Sequence, residues 1–188
     1  MSPAAVSDAQ LIARVLVQDD RHAFGELVRR HQSAVRACLR KLTAGNHALA
    51  DDLAQETFLL AYRNLKSFRQ EAKFSTWLYR IAYNAFLGDM RKTKELQLPD
   101  EEDADDAAMS DDTATPVARA VALSVDLQRA MAVLTDAERA AIVQCYHNDL
   151  SHEEAAFVLG CPVGTVKTHI LRAKQKLKAR LGAWAPEG

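Results

Sequence analysis

The chain has 188 residues, 48% of them hydrophobic and 26% charged, and a formal net charge of −1. That length suits one large or two small domains with real cores, and no apolar run approaches the roughly 20 residues of a membrane span. The first residues, MSPAAVSDAQ, lack the basic, apolar and small-residue succession of a secretion signal. A soluble, cytoplasmic protein without membrane insertion is expected.

The predicted elements are all helical. A Ser7/Asp8 cap opens a first helix marked by Leu11, Ile12, Val15 and Leu16. Phe24, Leu27, Val28, His31, Val35, Leu39 and Leu42 recur at helical steps and mark a second, ending near Gly45-Asn46. A third runs from about Ala48 to Leu65 and buries Leu53, Ala54, Phe58, Ala61 and Leu65. Away from that buried side, Asp52, Gln55, Glu56 and Leu59 fall at i, i+3, i+4 and i+7. Such an acidic stripe with one leucine suits docking on a basic protein surface, or is a solvated face. A fourth helix follows a Ser75 cap and buries Leu78, Ile81, Ala82, Ala85 and Phe86.

Aromatic residues crowd this region. Tyr62, Phe68, Phe74, Trp77, Tyr79, Tyr83 and Phe86 place seven of the chain's twelve aromatics within 25 residues. They cannot all point inwards on a short helix. Lys66, Arg69, Lys73, Arg80, Arg91 and Lys92 lie among them, which joins cations for phosphate to flat faces for unstacked bases. Phe68, Trp77, Tyr79 and Asn84 therefore stand as base contacts or as structure, with both readings open.

Charge divides the chain in three. Residues 8–94 carry a net +6, residues 95–116 (ELQLPDEEDADDAAMSDDTATP) hold nine acidic and no basic residues, and residues 117–188 carry +2. The middle segment has two prolines and no aromatics, too little apolar surface to order itself. It reads as a flexible acidic linker between two small helical domains, 8–94 and 117–182.

In the second domain Leu127, Met131 and Leu134 share one helix, and a capping box Thr135-x-x-Glu138 opens another holding Ala141, Ile142 and Cys145. Ser151-x-x-Glu154 is a second capping box, and Ala155, Ala156, Val158 and Leu159 give its helix an apolar side. Gly160 suits the left-handed conformation that ends a helix, and Pro162 the first position of the next. Val166, Ile170, Ala173, Leu177 and Leu181 then form one buried stripe. Thr168, Leu171, Arg172 and Gln175 lie roughly opposite, flanked by Lys167, Lys174 and Lys178. Between Thr165 and Leu181 stand six Lys or Arg and no acid. Caps, turn and charge together read as a DNA-binding helix-turn-helix.

Cys38, Cys145 and Cys161 are odd in number and widely spaced on apolar faces, which predicts buried thiols. His147, His152 and Cys161 match no familiar zinc spacing. No metal and no cofactor are expected.

A single-strand surface at one end, a duplex-reading helix at the other and a docking stripe between them closely resemble a bacterial sigma factor, of the extracytoplasmic-function (ECF) class of the sigma-70 family. DDLAQETFLLAYRNLKSF, FSTWLYRIAYNAF and CPVGTVKTHILRAK carry the resemblance, which spans residues 8–94 as a region 2 domain and 117–182 as a region 4 domain. It implies an all-α protein that binds core RNA polymerase through the β′ clamp coiled coil and the β flap. Such a protein recognises promoter DNA, duplex and single-stranded, and helps open it, in a stress or envelope response and under control of an anti-sigma protein. It further implies that Asp52, Gln55, Glu56 and Leu59 dock on polymerase. Phe68, Tyr79 and Asn84 would surround a base flipped from the minus-ten element, with Trp77 and Arg80 beside that strand. Lys167, Thr168, Leu171, Arg172 and Lys174 would read the minus-thirty-five element. His169 stands where many relatives carry arginine, and Leu171 where some carry an aromatic.

On that reading no enzyme chemistry is needed, because phosphodiester synthesis belongs to the polymerase. Flipping a base costs a few kcal/mol, offset by stacking of about 1–3 kcal/mol per base. A dimeric helix-turn-helix regulator with a helical sensor domain would explain the C-terminal half but not the stripes of the first. An enzyme would need a site from scattered His22, His31 and His47, with no motif to assemble them. An adaptor module leaves the recognition helix without a use.

Overall fold

The computed structural model describes residues 6–96 and 130–182, the side chains of 181 and 182 excepted. Every regular element among them is helical. Leu127, Leu181 and residues 97–116 of the expected linker lie outside the described side chains.

Helix α1 (Asp8–Gln18) begins at Ser7, whose hydroxyl accepts from the Gln10 amide at 3.3 Å while the Gln10 side chain accepts from the Ser7 amide at 2.9 Å. That reciprocal pair satisfies two end-of-helix donors. Asp19 turns left-handed and Asp20 caps α2 (Arg21–Leu42). Asn46 caps α3 (His47–Asn64), which tightens into a 3-10 turn at Leu65–Ser67. Helix α4 (Phe74–Leu96) starts one residue before the expected Ser75 cap. The Trp77 amide bonds the Lys73 carbonyl, so Ser75 sits inside the first turn. The helix also continues two residues past position 94.

Helices α2, α3 and α4 pack on one another, and α1 lies across α2, tied by Arg30 to Asp8 (3.0 Å) and by His31 to Asp8 (2.7 Å). Leu27, Leu39, Leu42, Leu65 and Leu78 are fully buried at their centre, each contributing about 1.5–3 kcal/mol. Leu16, expected inside, is 40% exposed. Helix α1 rests on α2 through Leu11, Ile12 and Val15, and Leu16 falls off that narrow stripe. Ile81 is only half-buried.

In the second half Thr135 and Glu138 close the expected capping box of α5 (Asp136–Ile142). The chain then widens into a π-helical turn, Val143–His147, that periodicity did not announce. Ser151 and Glu154 cap α6 (His152–Leu159), and Gly160 ends it at φ 65°. Helix α7 (Val163–Gly182) follows. Pro162 is its cap rather than its first residue, since the Pro162 carbonyl accepts from Thr165 and Val166. Small Ala155 and Ala156 let α6 approach Val166 and Ile170 of α7.

The two helical groups are not separate beads. Ala140, Val143 and Val158 of the second half belong to the same apolar cluster as Leu39, Leu42 and Leu78 of the first. Helix α4 lies between α2 and α3 on one side and α6 on the other.

Candidate nucleic-acid interface

Position in α7 decides which side chains face solvent. Val166, Ile170 and Ala173 are buried, which turns Lys167, Thr168, Leu171, Arg172 and Lys174 outwards as one exposed face. Leu171, a large apolar side chain, is 58% exposed on it. The Thr168 hydroxyl donates to the Gly164 carbonyl at 2.9 Å, one turn back on the same helix. The Lys174 ammonium lies 4.8 Å from the centre of the Tyr146 ring, a cation–π contact that braces it. Lys176 turns the other way. It donates to Glu138 at 2.7 Å, a carboxylate almost wholly buried that also accepts from the Thr135 amide at 3.0 Å. The Lys176 hydrogen bond holds the Glu138 carboxyl below the usual carboxylate range. One of the six cations therefore fastens α7 to α5, while Lys167, Arg172, Lys174, Lys178 and Arg180 remain exposed. A helix face of cations, one hydroxyl and one apolar side chain can bind phosphates and base edges in a major groove.

The aromatic region departs from expectation. Phe68 and Trp77 do meet, with ring centres 5.3 Å apart, and Phe74 packs on both. Arg80 and Asn84 follow Trp77 at helical spacing and are exposed. Trp77 is only 9% exposed, however, and Tyr79 only 8%. Most of the aromatics do point inwards, because α4 is covered on more than one face. With α2, α3 and α6 around it, α4 is covered on most of its circumference. Tyr79 lies on the far side of the helix from Asn84, and burial pushes its phenol up, with a smaller push from nearby Cys38. Phe68 and Asn84 line different clefts. In this arrangement Phe68, Tyr79 and Asn84 do not converge on one open pocket.

On α3 the stripe Asp52, Gln55, Glu56 and Leu59 is exposed throughout, Leu59 at 58%. Beside it runs a cleft of about 700 Å³ between α2 and α3, walled by Phe24, Val28, Phe58 and Tyr62 and edged by Arg21 and Arg36. Periodicity found the ridge and missed the groove. A ridge of acid and amide beside an apolar groove can seat a basic, partly apolar helix.

The least legible feature is the seam between the halves. Gln144 is fully buried; its amide donates to Cys38 Sγ at 3.7 Å and its carbonyl accepts from Asn148 at 2.8 Å. Asn148 also donates to Cys38 Sγ at 3.2 Å. Burial pushes the Cys38 thiol up to about 11, partly countered by those donors. Cys145 and Cys161 are half-buried rather than buried, and all three thiols are free. No signal in the sequence could pair Cys38 with a glutamine 106 residues away. Among the described residues no three metal-ligating side chains cluster, and no helix is long and apolar enough to cross a membrane.

Residues 27–95 match sigma-70 region 2, and residues 124–177 match sigma-70 region 4. The chain is 38% identical over 176 residues to the ECF RNA polymerase sigma factor SigM of Mycobacterium tuberculosis, covering 94% of this chain and 85% of that one. It is 37% identical over 171 residues to SigW of Bacillus subtilis, covering 86% and 90%. Among solved structures, CnrH in complex with the cytosolic domain of CnrY superposes with a TM-score of 0.68 at 28% identity, over 94% of this chain and 97% of that one. The sigma factor RpoE of Bartonella quintana, bound to the anti-sigma factor NepR, gives 0.65 at 28% identity, over 85% and 96%. Two matching regions and relatives aligned over nearly the whole length make one assignment: the chain belongs to the ECF class of the sigma-70 family of RNA polymerase sigma factors.

Proposed function

We propose that α7 reads the minus-thirty-five element of promoter duplex, that α4 with the Phe68 loop takes the unpaired minus-ten strand, and that the α3 stripe docks on the β′ clamp coiled coil of core polymerase. The observation that carries the reading is the α7 face, where Lys167, Thr168, Leu171, Arg172 and Lys174 stand exposed together with no acid among them. Arg172 is suited to a guanine edge and Leu171 to a thymine methyl, while Lys167 and Lys174 are suited to phosphates. Phe68, packed on Trp77, supplies stacking surface, exposed Arg80 a phosphate contact and exposed Asn84 a polar group for the captured strand, while Tyr79, buried on the far side of α4, supports the helix from behind. Asp52, Gln55, Glu56 and Leu59 supply charge and one apolar anchor toward polymerase, and the second half approaches the β flap.

The phosphodiester chemistry is the polymerase's, and the chain works in the cytoplasm as its specificity subunit. An anti-sigma protein is a fitting further partner, since two solved relatives were captured with CnrY and with NepR. The test is run-off transcription from genomic fragments with core polymerase, with and without the purified chain. Discrete new start sites that need the chain are expected. Transcripts identical to those of core alone would overturn the reading.

A further inference from the structure

Helix α6 presents to α4 the two chemistries that a nucleic-acid strand would bring. Glu154 stands 3.9 Å from the Lys73 ammonium, and the Phe157 ring lies under the Arg80 guanidinium at 4.5 Å. A carboxylate in place of a phosphate and a flat ring in place of a base satisfy the same cations. A cleft of about 880 Å³ beside them is walled by Phe68 and Phe74 on one side and by Glu153, Glu154 and Phe157 on the other. Phe157 packs on the apolar cluster that the two halves share, not on the smaller cluster between α6 and α7.

The surface contacts alone are weak. Lys73 is largely exposed, and exposed ion pairs contribute little. The seam behind them gives the arrangement its definition. Gln144 is fully buried, and outside its own turn its partner is Cys38 of the first half. Undocked, the second half would show Val143, Val158 and Phe157 as an open apolar face.

We infer that α6 is a built-in occupant of the single-strand surface: its Glu154–Phe157 side takes the place of phosphate and base, and the free chain masks α4 until the two halves part. The inference rests on the proposal that α4 takes the minus-ten strand. Once the halves part, Cys38 loses the cover that Gln144 and Asn148 provide.

Peptide-resolved alkylation of the native thiols tests closure on the unmodified full-length chain. Cys38 should react at least tenfold more slowly than half-buried Cys145 and Cys161, and core polymerase should raise its rate at least fivefold. Equal rates for the three thiols in the free chain, or no rise with core, would overturn closure. Masking is tested with Glu154→Gln plus Phe157→Ala; glutamine keeps the capping box. The probe is the labelled non-template single strand of a promoter that the holoenzyme transcribes. The free variant should bind it at least fivefold more tightly than the parent, while holoenzyme binding changes less than twofold. A variant with reactive Cys38 and no gain in strand binding would overturn masking. Adding Arg80→Ala should abolish the gain. A gain that survives without Arg80 would instead overturn the assignment of the strand to α4.

Discussion

Arg172 and Lys178 share one helix and one charge, yet they should behave differently in DNA binding. Both are exposed, but Arg172 lies among Thr168 and Leu171 near the middle of α7 and Lys178 lies farther along, toward its end. A bidentate guanidinium on a guanine edge discriminates by about 1–3 kcal/mol, whereas a phosphate contact carries no sequence information. Arg172→Ala should therefore weaken binding to the minus-thirty-five duplex by about that amount and relax base preference there. Lys178→Ala should lower affinity evenly across sequences. Isotherms on matched and mutated duplexes measure both, and an unchanged preference in Arg172→Ala would remove it from the reading face. Cys38 gives a second expectation, in pH. Its thiol is raised from 9.0 to about 11, so above pH 9 the unfolded chain releases this proton while the folded chain keeps it. Its contribution is then fully present below about pH 9 and is lost as pH rises toward 11, at most about 2–3 kcal/mol. Urea midpoints at pH 8 and 10 should fall accordingly in the parent and less in Cys38→Ala. Tyr79 and Tyr83, raised by burial, add a loss of the same sign only at still higher pH.

At the scale of elements, caps and stripes were legible because both are local. Ser7, Thr135 and Ser151 each cap the helix that their spacing announced, and Gly160 takes the positive φ that a helix end requires. Buried stripes of α2, α3 and α7 follow from a 3.6-residue period. The π turn did not, since one extra residue in a turn leaves no mark in periodicity. Gln144 carries no local sign of burial, yet it is fully buried, because its acceptor comes from α2. Of the candidate regions, the exposed face of α7 was legible almost residue by residue. The α4 region was not, because the burial of Trp77 and Tyr79 depends on residues outside the helix: Phe68 packs on Trp77, and Cys38 of α2 lies near Tyr79. The α3 stripe lies between these cases: its exposure was foreseen, its partner groove was not. Gln55→Arg with Glu56→Arg reverses the charge of that ridge without touching buried Leu53, Ala54 or Phe58. Competition with the parent chain for core polymerase should drop by at least tenfold while helical circular dichroism is retained. Undiminished competition would return the stripe to a solvated face.

At the scale of the whole molecule, the question is whether two helical groups behave as two bodies or one. A bipartite charge pattern with an acidic segment between argues for two, each unfolding at its own midpoint. The shared cluster argues for one in the free chain: Ala140, Val143 and Val158 lose their cover if the first half melts, and Cys38 loses Gln144 and Asn148 if the second does. Elements that share a core melt together, and those that do not open separately. Calorimetry of the free chain should show one transition whose calorimetric and van't Hoff enthalpies agree. Gln144→Arg forces a guanidinium into a seam with a thiol and an amide but no carboxylate among Gln144's hydrogen-bond partners. An unpaired buried charge costs several kcal/mol, whereas the same side chain on an undocked surface costs almost nothing. The variant relieves the strain by parting the halves, not by unfolding either. Its endotherm should split into two, or its van't Hoff enthalpy should fall well below the calorimetric value, with helix content preserved before the first melt. Two resolved transitions in the parent, or one sharp transition in Gln144→Arg, would show that the seam does not couple the halves.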